Sequence, residues 1–291
     1  MFKKIPNILA AALLLTTAAF ADEARPTGAV VQVQDLGEIK IHSYTAPQEM
    51  FAMSTYIIES DNALVLIDGQ MFTPFANDYR AYADGLGKPI DRLLLTHGHP
   101  DHYLGLVAFA DVPLYALAST IEEIAETGEA TRVARREMMG DIIPDSVVVP
   151  SETLEAGSEV IDGVTYEFSA LQGGEHEPML ITRLPEHGVI SVGDTAMNSM
   201  HMFLAGKPET WIPAIAELSA DDSYNIVLPG HGLPGNQDMF AENTAYLTKA
   251  SELLGTAKTG PEFRAGMIEA FPDLGVPGAI DFFLPYLFPN G

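Results

Sequence analysis

Residues 93–105 read LLLTHGHPDHYLG, an apolar run that ends in three histidines and an aspartate within six residues. The chain has only eight histidines in 291 residues, so abundance does not explain the grouping. The leucines mark a buried strand. His97 and His99 lie two apart on the extended segment after it, and their side chains emerge on the same side. Pro100 biases His99 away from helical geometry and supports that arrangement. Asp101 and His102 follow where the chain turns toward an expected helix at YLGLVAFAD. Two pairs of side chains can then face two neighbouring points. Imidazole nitrogen and carboxylate oxygen suit zinc, and iron and manganese accept the same donors.

Such a cluster needs completion from elsewhere, and three later segments offer it. LQGGEHEP supplies His176, VISVGD supplies Asp194 and IVLPGHG supplies His231. Each follows an apolar strand and sits beside glycine, which lets the backbone turn tightly while the strand holds the side chain in place.

The H-x-H-x-D-H string, followed by His, Asp and His in this order, resembles the metallo-β-lactamase superfamily. The resemblance runs from VLIDG to LPGHG. It implies an α/β fold, the αββα four-layer sandwich, and a pair of metal ions, expected as two Zn2+. It also implies that His97, His99 and His176 hold one ion and that Asp101, His102 and His231 hold the other, with Asp194 bridging both. Asp68 of LIDG matches the family's structural aspartate. Asp101 is expected to be catalytic as well, orienting the nucleophile or carrying a proton. Two divalent ions sharing a water let hydroxide form at neutral pH to attack a carbonyl or phosphorus. Di-iron redox members of the family carry a carboxylate where this chain has His99, so hydrolysis on zinc is expected. Glu175 and Glu177 are expected to be solvated or to stand just behind the ligands, with Glu177 a candidate to orient a ligand histidine.

Composition narrows the setting. MFKK, then IPNILAAALLLTTAAF, then AFA before Asp22 read as a signal peptide over 1–21 with cleavage after Ala21. The protein is therefore expected to be periplasmic or secreted, with no stable membrane anchor and a single hydrolase domain over 22–291. The formal charge is −25, and loss of Lys3 and Lys4 makes it two units more negative. Such a surface repels polyanions, so no nucleic-acid partner is expected. The chain has no cysteine, which excludes disulfides and any thiolate nucleophile or ligand.

Short alternating strands open each half of the chain and helices close it, as two sheets inside and helices outside require. A helix is expected over 119–139, opened by a Ser119/Glu122 capping box, and another at DYRAYADGLG. Met197, Met200, Met202 and Phe203 after Asp194 suggest an apolar pocket, with ordinary core packing as the alternative. QMFTPF (70–75) and IDFFLPYLFP look like exposed aromatics, the latter capping the site or forming a homodimer face. His201 is a candidate substrate contact. The expected activity is an exported dinuclear-zinc hydrolase of a small molecule, an ester or lactone with an apolar moiety. A β-lactamase-type amide hydrolase and a glyoxalase-II-like thioesterase are alternatives. A non-catalytic metal-binding protein is an alternative of another class.

Overall fold

The computed structural model describes residues 21–205 and 207–289. The expected leader lies outside the described residues, apart from Ala21. The first half contains β1 (Ala21–Ala24), β2 (Val30–Asp35), β3 (Lys40–Thr45), β4 (Ser54–Glu59), β5 (Leu64–Ile67), α1 (Thr73–Gly85) and β6 (Ile90–Leu94). It continues through α2 (Pro100–Tyr103), β7 (Leu114–Ala116), α3 (Ala118–Met139) and β8 (Glu152–Thr153). These eight strands form one sheet in chain order. Pairing is antiparallel as far as β5 and parallel from β5 to β8, where α1 and α3 serve as crossovers. The second half contains β9 (Gly157–Ile161), β10 (Val164–Leu171), β11 (Met179–Leu184), β12 (Val189–Met197), α4 (Pro208–Ser219) and β13 (Ile226–His231). It closes with α5 (Asp238–Leu254), α6 (Gly260–Ala270) and α7 (Gly278–Leu287). Its sheet runs β13-β12-β11-β10-β9 and is antiparallel except for β12 with β13, which α4 links.

Strand periodicity sorts the apolar side chains into three cores, and three cores make four layers. Leu94 points between the sheets, with Tyr56, Ile58, Val65, Phe168 and Leu228. Leu93 and Leu95 point the other way, under α1 and α3, with Ile57, Leu66 and Tyr79. On the far sheet, Ile190, Val192 and Val227 face Trp211, Phe240 and Leu247 of α4 and α5. Burial on both faces explains why β5 and the end of β6 read as unbroken apolar runs. The result is the expected αββα sandwich.

Several local expectations change. Helix α1 begins at Thr73, with Pro74 in its first turn, so QMFTPF enters a helix and Met71, Phe72 and Phe75 are buried. The capping box does not form: α3 starts one residue before Ser119, and its N-cap, Leu117, makes no side-chain cap bond. YLGLVAFAD is mostly 3-10 turns over Leu104–Phe109, after the short α2.

Candidate metal centre

The loop ends of both sheets converge on one point. Asp68 follows β5; His97 and His99 follow β6; Asp101 and His102 lie in α2. Glu175 and His176 follow β10, Asp194 lies within β12, and His231 ends β13. Two groups of side chains result, His97, His99, Glu175 and Asp194, and Asp101, His102, Asp194 and His231, each able to hold a metal ion. Asp194 belongs to both. Its Oδ1 is 3.3 Å from His102 Nε2, and its Oδ2 is 3.2 Å from His231 Nε2 and 3.9 Å from His97 Nε2. Asp101 Oδ2 is 3.1 Å from His231 Nε2, and Glu175 Oε2 is 2.7 Å from His99 Nδ1.

The outer nitrogens are held by the protein. His102 Nδ1 donates to Asp68 Oδ2 at 2.8 Å, and His231 Nδ1 donates to the Phe51 carbonyl at 2.8 Å. Thr96 gives its hydroxyl proton to Asp68, so its oxygen accepts from His97 Nδ1 at 3.0 Å. Each of these bonds fixes a tautomer whose Nε2 lone pair points inward. Asp68 adopts a left-handed backbone at φ 61° to serve both partners, a strained conformation of the kind kept at functional sites.

Inside, the polar atoms are orphaned. His97 Nε2, His102 Nε2, His231 Nε2, Glu175 Oε2 and Asp194 Oδ1 are buried without a hydrogen-bond partner, close as some of them are. Buried polar atoms are nearly always bonded. Converging lone pairs of imidazole and carboxylate fit divalent cations instead. The electrostatics agree. Burial opposes charge on Asp194, yet His231 and His102 hold its carboxyl well below the usual range. Burial disfavours a charged His231, but Asp194 and Asp101 raise it to about 10. These carboxylates demand positive charge beside them. His97, through burial and the neighbouring His102 and His99, is held well below the usual imidazole range and is neutral, the form that ligates.

Six of the seven expected ligands, His97, His99, Asp101, His102, Asp194 and His231, are brought together. His176 lies beside the first group, and its Nδ1, like the atoms inside, is buried without a hydrogen-bond partner. Its Nε2 donates to Glu123 of α3 at 2.9 Å, and its ring stands 4.9 Å from that of His99. Glu175, expected to be solvated or to stand behind the ligands, is buried with the first group, while Glu177 is exposed. Gly173 and Gly174, at φ 82° and 107°, turn the chain so that Glu175 enters the site.

The centre opens into a cavity of about 430 Å³. His99, Asp101, Glu175 and Asp194 lie on its lining; Phe51, Met71, Met139, Phe203, Phe282 and Phe283 form much of the apolar wall. The aromatic tail thus covers the site through α7. Phe203 packs on His231 at 5.0 Å between ring centroids and on Phe283 at 6.2 Å. Of the apolar residues after Asp194, Phe203 and Leu204 reach the cavity. Met197, Met200 and Met202 are core. His201 is also buried, with Nδ1 3.2 Å from the Tyr246 hydroxyl, and does not line the cavity.

The comparisons agree with this geometry. A model of the metallo-β-lactamase superfamily matches residues 51–231, and the chain belongs to that family. The alkyl/aryl-sulfatase BDS1 of Saccharomyces cerevisiae is 24% identical over 184 residues, which cover 51% of this chain and 28% of the yeast protein. A linear primary-alkylsulfatase of a Pseudomonas species is 24% identical over 147 residues, 39% of this chain and 22% of that protein. The chain therefore spans about a quarter of the length of these relatives. Among solved structures, a metallo-β-lactamase from Pontibacter korlensis has TM-score 0.60 at 18% identity, covering 75% of this chain and 99% of its own. One from Hirschia baltica has TM-score 0.56 at 22% identity, covering 75% and 97%. Family membership agrees with two ligand groups that could each hold a metal ion.

Proposed function

We propose that this is an exported hydrolase that holds two zinc ions and cleaves an ester with an apolar moiety, sulfate esters included. The observation that carries the reading is Asp194, shared by two ligand groups at the edge of a mostly apolar cavity. The similarity to an alkyl/aryl-sulfatase and a linear primary-alkylsulfatase supports an alkyl sulfate as one such ester. On this reading Glu175, rather than His176, completes the group of His97 and His99.

Bound there, the ions would acidify a water and polarise the reacting group. The chain's own residues do the rest. Asp194 and the inward nitrogens of His97, His102 and His231 set where the charge sits. Asp101, 20% exposed and on the cavity wall, can hold a ligand position with one carboxylate oxygen and take a proton from water with the other. Phe203, Phe282 and Phe283 hold the apolar moiety and keep bulk water from it.

The test is elemental analysis of the purified protein together with a panel of carboxylic, lactone and sulfate esters, for the wild type and Asp101→Ala. Two ions per wild-type chain, and turnover lost in the variant while its fold is kept, are expected. At most one ion under excess zinc, or full turnover in a metal-loaded variant, overturns the assignment.

A further inference from the structure

Arg132, Arg135 and Arg136 lie close together in the C-terminal half of α3. Arg132 grips Glu129 with two bonds, at 2.8 and 2.6 Å. Arg136 pairs with Asp141 at 2.7 Å and Asp145 at 2.6 Å. Six of the eight arginines hold a carboxylate in this way. Arg183 donates to Ser169 Oγ at 2.6 Å. Arg135 differs: among the described residues its guanidinium has no carboxylate or hydrogen-bond acceptor within bonding distance. The chain has 40 acidic residues against 15 basic ones, so acidic groups are not scarce.

Arg135 is also placed where a ligand would meet it. It lines the same cavity as Asp101, Glu175 and Asp194 without pairing with them, and its Cζ stands 5.0 Å from the centroid of the Phe282 ring of α7. The ring steadies the cation without using its five N–H donors. A planar fork of donors facing an apolar cavity matches a sulfate, sulfonate or carboxylate.

We propose that Arg135 is the anion-binding point of the cavity and that the ligand is an anionic amphiphile. Its apolar chain lies along Phe203, Phe282 and Phe283, and its anionic group lies on the guanidinium. This deepens the hydrolase reading and rests on it only for the ligand being a substrate. The anion is either the reacting group itself, as in an alkyl sulfate, or a second group further along the chain.

Calorimetric titration of the metal-loaded protein with octane-1-sulfonate, kept below its micelle concentration, tests the binding without needing turnover. The wild type should bind it with an affinity that falls as salt rises. Arg135→Gln should bind at least tenfold more weakly, with little salt dependence, and Arg135→Lys should recover part of the loss. Neutral 1-octanol should bind both proteins equally. Equal sulfonate affinity in wild type and Arg135→Gln, or an equal loss for octanol, overturns the proposal. Turnover of octyl sulfate, monomethyl suberate and methyl octanoate then places the anion, since Arg135→Gln should raise KM for the charged substrate that uses Arg135 and spare methyl octanoate. Sulfonate binding that depends on Arg135, with none of the three hydrolysed, sustains this inference and sinks the hydrolase reading. Methyl octanoate turnover with no effect of Arg135→Gln on either charged ester or on sulfonate binding does the reverse.

Discussion

Gly230 lies so close to Asp194 that a β-carbon on it would overlap the Asp194 Oδ1 and come within 3.0 Å of His102 Cε1. The bare backbone of β13 is part of the wall of the metal centre. Gly230→Ala must push Asp194 out of the position it shares between the two ligand groups. Displacing such a supporting contact typically costs roughly 10–100-fold in metal affinity or activity. Metal titration of the folded variant, with kcat/KM for an ester that the wild type cleaves, should show a loss of that size.

Glu175 and His176 are neighbours with opposite expected effects. Glu175→Gln removes the carboxylate charge inside the first group, and elemental analysis should find the bound metal falling from two ions toward one. His176→Gln removes a ring that is bonded to Glu123 outside the group, and two ions should remain. Two ions in the first variant and one in the second would return His176 to the ligand set.

The cavity wall should show itself in chain-length dependence. Burying a methylene contributes about 0.8 kcal/mol, so two more carbons on the apolar moiety should raise kcat/KM roughly tenfold until the cavity is full. Phe203→Ser should flatten the series and leave metal content unchanged. Met200→Ser, by contrast, should lower stability, because Met200 is core.

Far from the centre, Asp78 ties α1 to the edge of the first sheet. Burial would raise its carboxyl, but hydrogen bonds from Arg25, Thr27 and Tyr44 hold it below the usual range. A carboxyl lowered in the folded state stabilises above its unfolded pKa, about 4. That contribution is lost as pH falls through the lower folded value. Asp78→Asn should therefore cost about 1.5–3 kcal/mol at pH 7, the range for hydrogen bonds to a charged group. Urea midpoints of the two proteins, measured from pH 7 downward, should converge below about pH 4.

The layered fold was legible because its strands announce it. Leu93, Leu94 and Leu95 alternate between two cores, and only a strand covered on both faces has an unbroken apolar run of that kind. His97, His99, Asp101 and His102 were legible for a local reason, since their spacing alone fixes which way they face. Glu175 was not. It and His176 sit beyond two left-handed glycines, and no periodicity tells which neighbour turns inward. The methionines after Asp194 failed for another reason: an apolar residue beside a site reads the same whether it faces ligand or core. Arg135 reaches the cavity only through the docking of distant helices, and sequence spacing is silent on that, whereas the aromatics of α7 already suggested a cap.

The ligand groups also join the two halves of the chain. His97, His99, Asp101 and His102 come from the half of the chain that builds the first sheet, and Glu175, Asp194 and His231 come from the half that builds the second. A bound ion is therefore a cross-link between segments 76 to 130 residues apart, and it exists only when both sheets are in register. In a chain without a single cysteine, it does the work that a disulfide does elsewhere, with a strength set by concentration instead of redox potential. At a free ion level a thousand times its dissociation constant, one such link adds about 4 kcal/mol to the folded state. The resistance of this protein to unfolding is thus a property of its surroundings as much as of its sequence.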